Sequence, residues 1–241
     1  MITKNDLTVI YYTSNYLDEH NPYFLKNTKD QLIKAIGDLP LISVSQKPMD
    51  FGTNICVGDI GRTHLNIYRQ ILIGAKAAKT KYVAMAEDDI LYSFEHFHTY
   101  LPEKDRFAYN MCKWSIYSWT NPPMYSFKAN RVVVNSLICK RDQLVSALEE
   151  RFKKFEELLK KGKLEEDINH IWGDPGRYEK NLGVTIHETE EFWTTTPNIV
   201  FSHPDAVGYG VLGTRKRLGD LRAIEIPVWG KAEDILKLWK I

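Results

Sequence analysis

The hydrophobic pattern of the first ninety residues switches between two periods. "LTVIYY" (7–12) is a continuous apolar, β-prone run and predicts a buried strand. It ends in the polar turn "TSNYLDEHNPY". "NPYFLKNTKDQLIKAIGDL" then repeats at helical spacing, with Phe24, Leu25, Thr28, Leu32 and Ile36 on one side and Gly37 as the stop. "PLISVSQKP" (40–48) predicts a second strand, closed by Pro48, and "MDFGTNICVGDIG" reads as a loop with three glycines. "RTHLNIYRQILIGAKAAKT" (62–80) is helical, with Leu65, Tyr68, Leu72 and Ala75 on the buried side, and "KYVAMA" is a third strand. Strand, helix, strand, loop, helix, strand predicts a parallel sheet with right-handed crossovers. Ligands of such sheets bind beyond the carboxyl ends of the strands. Two polar loops fall there, "TSN" and "EDD".

The pattern is less regular afterwards. "RFAYNMCKWSIYSW" and "NRVVVNSLICKR" predict strands around the turn "TNPPMYS". "DQLVSALEERFKKFEELLKK" (142–161) is an amphipathic helix with Asp142 as its expected N-cap. "VTIHETEEFW" is strand-like, and a basic stretch "GTRKRLGDLR" follows "TTTPNIVFSHPDAVGYG". There is no internal repeat, low-complexity tract or linker, which predicts one compact domain over residues 1–241. The fold class expected is α/β: a mostly parallel central sheet flanked by helices, with a smaller mixed region.

Composition narrows the picture modestly. The chain of 241 residues is 44% hydrophobic and 26% charged, an ordinary globular balance. A formal net charge of +1 provides no global field selecting nucleic acid or an anionic membrane. Cys56, Cys112 and Cys139 are odd in number and form no CxxC, which argues against a disulfide framework or zinc site and fits a reducing cytosol. "MITKNDLTVIYYTS" lacks a signal-peptide layout, and no stretch approaches the roughly 18 to 20 apolar residues that span a bilayer. The expectation is a soluble, cytoplasmic protein without a transmembrane segment.

Candidate chemistry centres on "AEDDIL". Alternation along a strand lets Glu87 and Asp89 converge while Asp88 points elsewhere or turns with the backbone. Carboxylates this close raise each other's pKa unless a cation or donors neutralise them. Mg²⁺ and Mn²⁺ favour oxygen ligands, and Mg²⁺ commonly takes one or two carboxylates plus substrate phosphates. The bland alternative is a solvated turn that caps a helix near "SFEHFH".

"LTVIYYTSN" followed by "RTHLNIYRQILIGAKAAKTKYVAMAEDDILY" resembles the nucleotide-sugar half of GT-A-fold glycosyltransferases, particularly their large inverting family. The resemblance covers residues 7 to 95. It departs from the family where Glu87 replaces the usual first Asp, and where "YRQILIG" lacks the usual glycine after a helical Arg-Asn pair. It implies a nucleotide-sugar-binding half over 1–95 and an acceptor-binding half over 96–241. Thr13, Ser14 and Asn15 would lie against base and ribose, and Glu87 or Asp88 against the ribose or a metal water. Asp89 would bind the cation bridging the two phosphates, and Arg62 or Arg69 would reach the uracil side or the diphosphate. The implied activity is transfer of a hexosyl group from a nucleotide diphosphate sugar, such as a UDP-sugar, with Mn²⁺ or Mg²⁺ and with inversion.

The family often completes its metal site with a histidine near the C-terminus, and His203 in "NIVFSHPDAVGYG" fits that role, with His187 competing and His170 read as packing or surface. Histidine suits Mn²⁺ better than Mg²⁺. An inverting transfer needs a general base for the acceptor hydroxyl. Glu165, Glu166, Asp167, Asp174 and Glu179 are candidates, and the turn "GDPGRYE" favours Asp174 and Glu179 by exposing them. Trp114, Tyr117 and Trp119 fit either a core or a stacking surface, and "TRKR" (214–217) a diphosphate clamp, a contact to a phosphate-bearing acceptor or a solvated face. The acceptor stays open between a glycan, a small molecule and a hydroxymethylated base in DNA. Two alternatives compete. A sugar-nucleotide nucleotidyltransferase needs a Gly-rich basic loop after the first strand, where "TSNYLDEHNP" has no glycine. The other is an inactive nucleotide-binding module. Two-metal nuclease chemistry would need more acids on several strands.

Overall fold

The computed structural model describes residues 2–117, 120–127, 129, 132–163, 173–177, 179–202 and 219–237. Strand β1 (Leu7–Thr13) is buried along its whole length and lies inside a seven-stranded sheet. It pairs in parallel with β2 (Leu41–Ser45) and with β4 (Tyr82–Ala86), in the registers Val9↔Leu41 and Leu7↔Tyr82. The parallel sheet expected from the first ninety residues is therefore present.

Local chemistry sets the helices that cover it. After the short α1 (Tyr16–His20), α2 (Pro22–Ile36) starts at Asn21, whose side chain accepts the Phe24 N–H at 3.2 Å, and stops at Gly37 with φ 59. Helix α3 (His64–Ala77) starts at Thr63, which accepts the Asn66 N–H at 3.2 Å. Each cap satisfies one N–H that the helix itself leaves open. Leu65, Tyr68, Ile71 and Ala75 face the sheet, so Ile71 takes the place expected for Leu72. Side chains of this kind contribute about 1.5–3 kcal/mol each when fully buried.

Several elements differ from expectation. The glycine loop contains β3 (Thr53–Cys56), an edge strand parallel to β2. "RFAYNMCKWSIYSW" divides into β6 (Arg106–Asn110) in the large sheet and β7 (Lys113–Tyr117) in a second one. Strand β9 (Leu137–Lys140) runs antiparallel between β4 and β6, and β10 (Glu188–Phe192) closes the edge parallel to β6. The large sheet thus has the order β10-β6-β9-β4-β1-β2-β3 and is mixed but mostly parallel. Helix α5 (Arg141–Lys160) begins after Lys140 without a side-chain cap, and Asp142 sits exposed in its first turn, paired with Arg141. Asp142 fails as a cap because the chain enters this helix directly from β9, one residue earlier.

The second sheet has the order β12-β8-β7-β11-β5, with β5 (Ile90–Leu91), β8 (Tyr125–Phe127), β11 (Asn198–Ser202) and β12 (Leu221–Ala223). Helix α4 (Phe94–His98) leads back from β5 to the large sheet and is preceded by Ser93 rather than an acid. A two-stranded ribbon of β13 (Glu225–Ile226) and β14 (Gly230–Lys231) ends the described chain with α7 (Ala232–Leu236), after the short α6 (Glu179–Leu182). Helices α3 and α5 cover one face of the large sheet, over Ile10, Tyr12, Val83, Met85, Phe107 and Tyr109. Leu32, Ile36 and Phe97 from α2 and α4 cover the other face. Among the described residues, no helix is long and apolar enough to cross a membrane.

Candidate active site

The three acids stand where the chain leaves one sheet for the other. β4 ends at Ala86, the backbone turns through Glu87, Asp88 and Asp89, and β5 begins at Ile90. The Asp89 carbonyl accepts the Phe201 N–H at 2.9 Å, which fastens the corner to β11. The acids therefore lie at the carboxyl end of an inner strand, where parallel sheets bind ligands.

Glu87 is held from both sides. Tyr12 Oη donates to its Oε1 at 2.8 Å and Asn135 Nδ2 donates to its Oε2 at 2.8 Å. Tyr92 supports both ends, accepting the Glu87 N–H at 3.1 Å and donating to the Asn135 carbonyl at 3.0 Å. Burial raises the Glu87 pKa to about 7, with the charge of Asp89 and then of Asp88 adding, while the bonds from Asn135 and Tyr12 oppose the shift. Asp89 acts on Glu87 more strongly than Asp88 does. Asp88 instead accepts Thr13 Oγ1–H at 2.6 Å.

That bond leads into the loop after β1. Thr13 Oγ1 accepts the Asn15 N–H at 2.9 Å. Asn15 takes a left-handed conformation, φ 60, and its Oδ1 receives the backbone N–H groups of Gln46 at 2.8 Å and Lys47 at 2.9 Å. Gln70 of α3 donates to the carbonyls of Thr13 at 2.8 Å and Val44 at 2.9 Å. The ends of β1, β2 and β4 are thus one hydrogen-bonded rim, with Ser14 partly buried within it. Arg62 lies over the Tyr16 ring at 3.8 Å, and Tyr16 stacks on His20 at 3.7 Å. Arg69 is exposed on α3 and donates to Asn66 Oδ1 at 3.3 Å.

A 3-10 turn at Val134–Ser136 receives three charged side chains on three consecutive residues. Asp174 Oδ1 accepts the Val134 N–H at 2.6 Å, Glu87 accepts Asn135 Nδ2–H at 2.8 Å, and Lys113 Nζ donates to Ser136 Oγ at 3.0 Å. Burial raises the Asp174 pKa, opposed by the Val134 N–H, Arg177 and Lys113. The turn around Asp174 does not expose its acids as the Gly-Pro-Gly pattern predicts: the Asp174 side chain is 18% exposed and that of Glu179 3%. Glu179 is turned inward because it pairs with the buried Arg151 and accepts the Gly176 N–H at 2.6 Å.

Asn135, Lys113, Tyr12 and Tyr92 carry no signal in the sequence, since each lies in an apolar run that reads as core. His187 stands just before β10, at the amino end of a strand parallel to β4, edge-on to Phe107 at 5.2 Å, with burial lowering its pKa. The acids are at the opposite end of that sheet. Trp114 packs on Phe127 at 5.5 Å and Tyr117 is buried, as a core reading has it. His203, Glu165, Glu166, Asp167, His170, Trp119 and residues 214–217 lie outside the described residues. Among the described residues, no three His, Cys, Asp or Glu side chains are arranged to hold a metal ion. The corner offers carboxylate oxygens alone, and the pKa of Glu87 is raised by burial first and then by its neighbours' charge. That donor set fits a hard divalent cation that takes its remaining ligands from substrate phosphates. A cavity of about 360 Å³ beside Tyr100, Lys104, Arg106 and Glu190 lies toward the amino end of β6, away from the corner.

No protein-family model matches the sequence, and no curated protein matches it. Solved structures resemble it distantly. The apo-form glycosyltransferase GlyE of Streptococcus pneumoniae TIGR4 superposes with a TM-score of 0.43 at 11% identity, over 78% of this chain and 45% of that one. A glycosyltransferase involved in glycosylation of the major capsid of PBCV-1 gives 0.43 at 9%, over 81% of this chain and 93% of that one. A nucleotidyl transferase from Methanothermobacter gives 0.39 at 11%, over 60% and 76%. This chain spans under half the length of the pneumococcal protein, and likeness at this level assigns neither an activity nor a substrate to it.

Proposed function

We propose that this chain is a metal-dependent glycosyltransferase of the GT-A type, moving a sugar from a nucleotide diphosphate sugar, a UDP-sugar by its resemblance, to an acceptor hydroxyl with inversion. The observation that carries the reading is the corner at Glu87–Asp89, at the carboxyl end of β4 and hydrogen-bonded to the end of β1 through Tyr12 and Thr13.

Thr13, Ser14 and Asn15 border the base and ribose in this reading, and the Arg62–Tyr16 stack flanks them. Asp89 and Glu87 would hold Mn²⁺ or Mg²⁺, with His203 as the proposed further ligand. A bound cation of this kind neutralises the diphosphate and eases its departure. Asn135 and Tyr12 keep the two Glu87 oxygens in fixed directions. Asp174 accepts the proton of the acceptor hydroxyl, since burial raises its pKa toward that of an effective base. Glu179, already paired with Arg151, is left a supporting role. The acceptor class is open between glycan, small molecule and modified DNA.

Thermal unfolding against a panel of nucleotides and nucleotide sugars, with Mn²⁺, Mg²⁺ or EDTA, tests the reading. One nucleotide sugar at 100 times its Kd should stabilise the protein by about 2.7 kcal/mol. The effect should need metal and vanish in Asp89→Ala. Absence of any nucleotide effect in either metal would remove the glycosyl-transfer reading and leave a structural corner.

A further inference from the structure

Arg151 and Glu179 form an ion pair whose side chains are 1% and 3% exposed. The proposed chemistry uses neither as a reacting group. Stability does not explain them well, because well-packed apolar residues often replace a buried pair without loss. Their hydrogen bonds suggest another purpose. Arg151 Nη1 donates to the Gly173 carbonyl at 2.5 Å, and Glu179 Oε1 accepts the Gly176 N–H at 2.6 Å. Those groups are the two ends of the turn that carries Asp174.

The turn is held elsewhere as well. Tyr109 Oη donates to the Pro175 carbonyl at 2.6 Å. Gly176 has φ 89, and a Cβ there would lie 2.1 Å from Thr189 Cγ2, so the turn presses against β10 and tolerates no side chain at that point. From the turn, Asp174 reaches the Val134 N–H, and the next residue, Asn135, reaches Glu87. One continuous path joins the buried pair to the acid corner.

We propose that Arg151 and Glu179 are positioning residues: by gripping both ends of the Gly173–Gly176 turn they set Asp174 against Val134 and so fix Asn135 on Glu87. The effect on turnover rests on the glycosyl-transfer reading, while the clamp itself does not. A planar guanidinium is needed because it donates to a carbonyl and a carboxylate at once, which a lysine ammonium on a flexible stem does not reproduce.

Two variants test this. Arg151→Met with Glu179→Leu removes the clamp without leaving a buried charge, and Arg151→Lys keeps the charge but loses the fork. Each is checked for cooperative melting, then read by hydrogen exchange at the Val134 backbone N–H and the Asn135 side-chain amide and by transfer kinetics. In a folded variant we expect exchange at both amides and the loss of kcat each to reach about 10-fold, with Mn²⁺-dependent donor binding weakened in the same direction as in Asn135→Leu, by up to about 10-fold. Unchanged exchange at Val134 in a folded variant overturns the clamp. Faster exchange with unchanged kcat leaves a purely structural pair and overturns the positioning role. If the parent protein transfers no sugar, the activity reading has failed, and the exchange measurement still decides the clamp.

Discussion

Asn135 makes the difference between an acid corner and a candidate site. Its amide holds one Glu87 oxygen while Tyr12 holds the other, so the carboxylate has a fixed direction rather than a range. In the proposed site Asn135 stands one step from the cation, and groups in that place typically change metal affinity 10- to 100-fold when removed. Asn135→Leu should therefore weaken Mn²⁺-dependent donor binding by about 10-fold, read by titrating Mn²⁺ at fixed nucleotide sugar. An unchanged Mn²⁺ midpoint would detach Asn135 from the proposed metal site. The acids themselves were legible in the sequence because three charges at the end of an apolar run have no packing explanation. Asn135 and Lys113 were not. They lie 48 and 23 residues from the groups they bind, and only tertiary folding brings the pairs together.

At the scale of elements, helices were the easiest to read, because periodicity is local. Gly37 marks the end of α2 in the sequence as it does in space, whereas the caps at Asn21 and Thr63 show only in the structure and Asp142, the cap expected for α5, is not one. Strands were harder, since alternation does not say which sheet a strand joins. The run "RFAYNMCKWSIYSW" breaks at Met111, where the Met111 N–H goes to the Phe192 carbonyl and the Cys112 N–H to Asn110 Oδ1. No residue type announces that break. The approach of α3 to the sheet depends on Gly74, where a Cβ would lie 2.5 Å from Ile10 Cγ2 and 3.2 Å from Val44 Cγ2. Gly74→Val should destabilise the protein by about 1–3 kcal/mol through overpacking, measured by urea unfolding. A change below about 0.5 kcal/mol would show that α3 shifts freely on β1.

At the scale of the whole molecule, two sheets share one buried histidine at their junction. His96 of α4 is fully buried, and Asn110 Nδ2 donates to its Nδ1 at 3.1 Å. Burial, with a smaller push from Lys113, lowers its pKa from 6.5 to about 3. The unfolded chain carries an ordinary histidine, so between those values it binds a proton that the folded protein excludes. The stabilising contribution is complete above pH 6.5 and is lost as pH falls toward 3. The slope reaches about 1.4 kcal/mol per pH unit. His96→Leu should flatten the pH dependence of urea unfolding by up to that amount between about pH 4 and 6. Identical slopes in parent and variant would show that the histidine is protonated in the folded state.

The turn at Val134–Ser136, gripped by Asp174, Glu87 and Lys113, also constrains how this protein can change. Three distant stretches of chain converge on three successive residues, so none of the five side chains in these bonds can drift alone without altering what its neighbours are worth, while Val134 contributes only its backbone N–H. The consequence is epistasis concentrated at one point. A library that randomises these positions one at a time will record mostly losses. One that varies them together can find compensated sets.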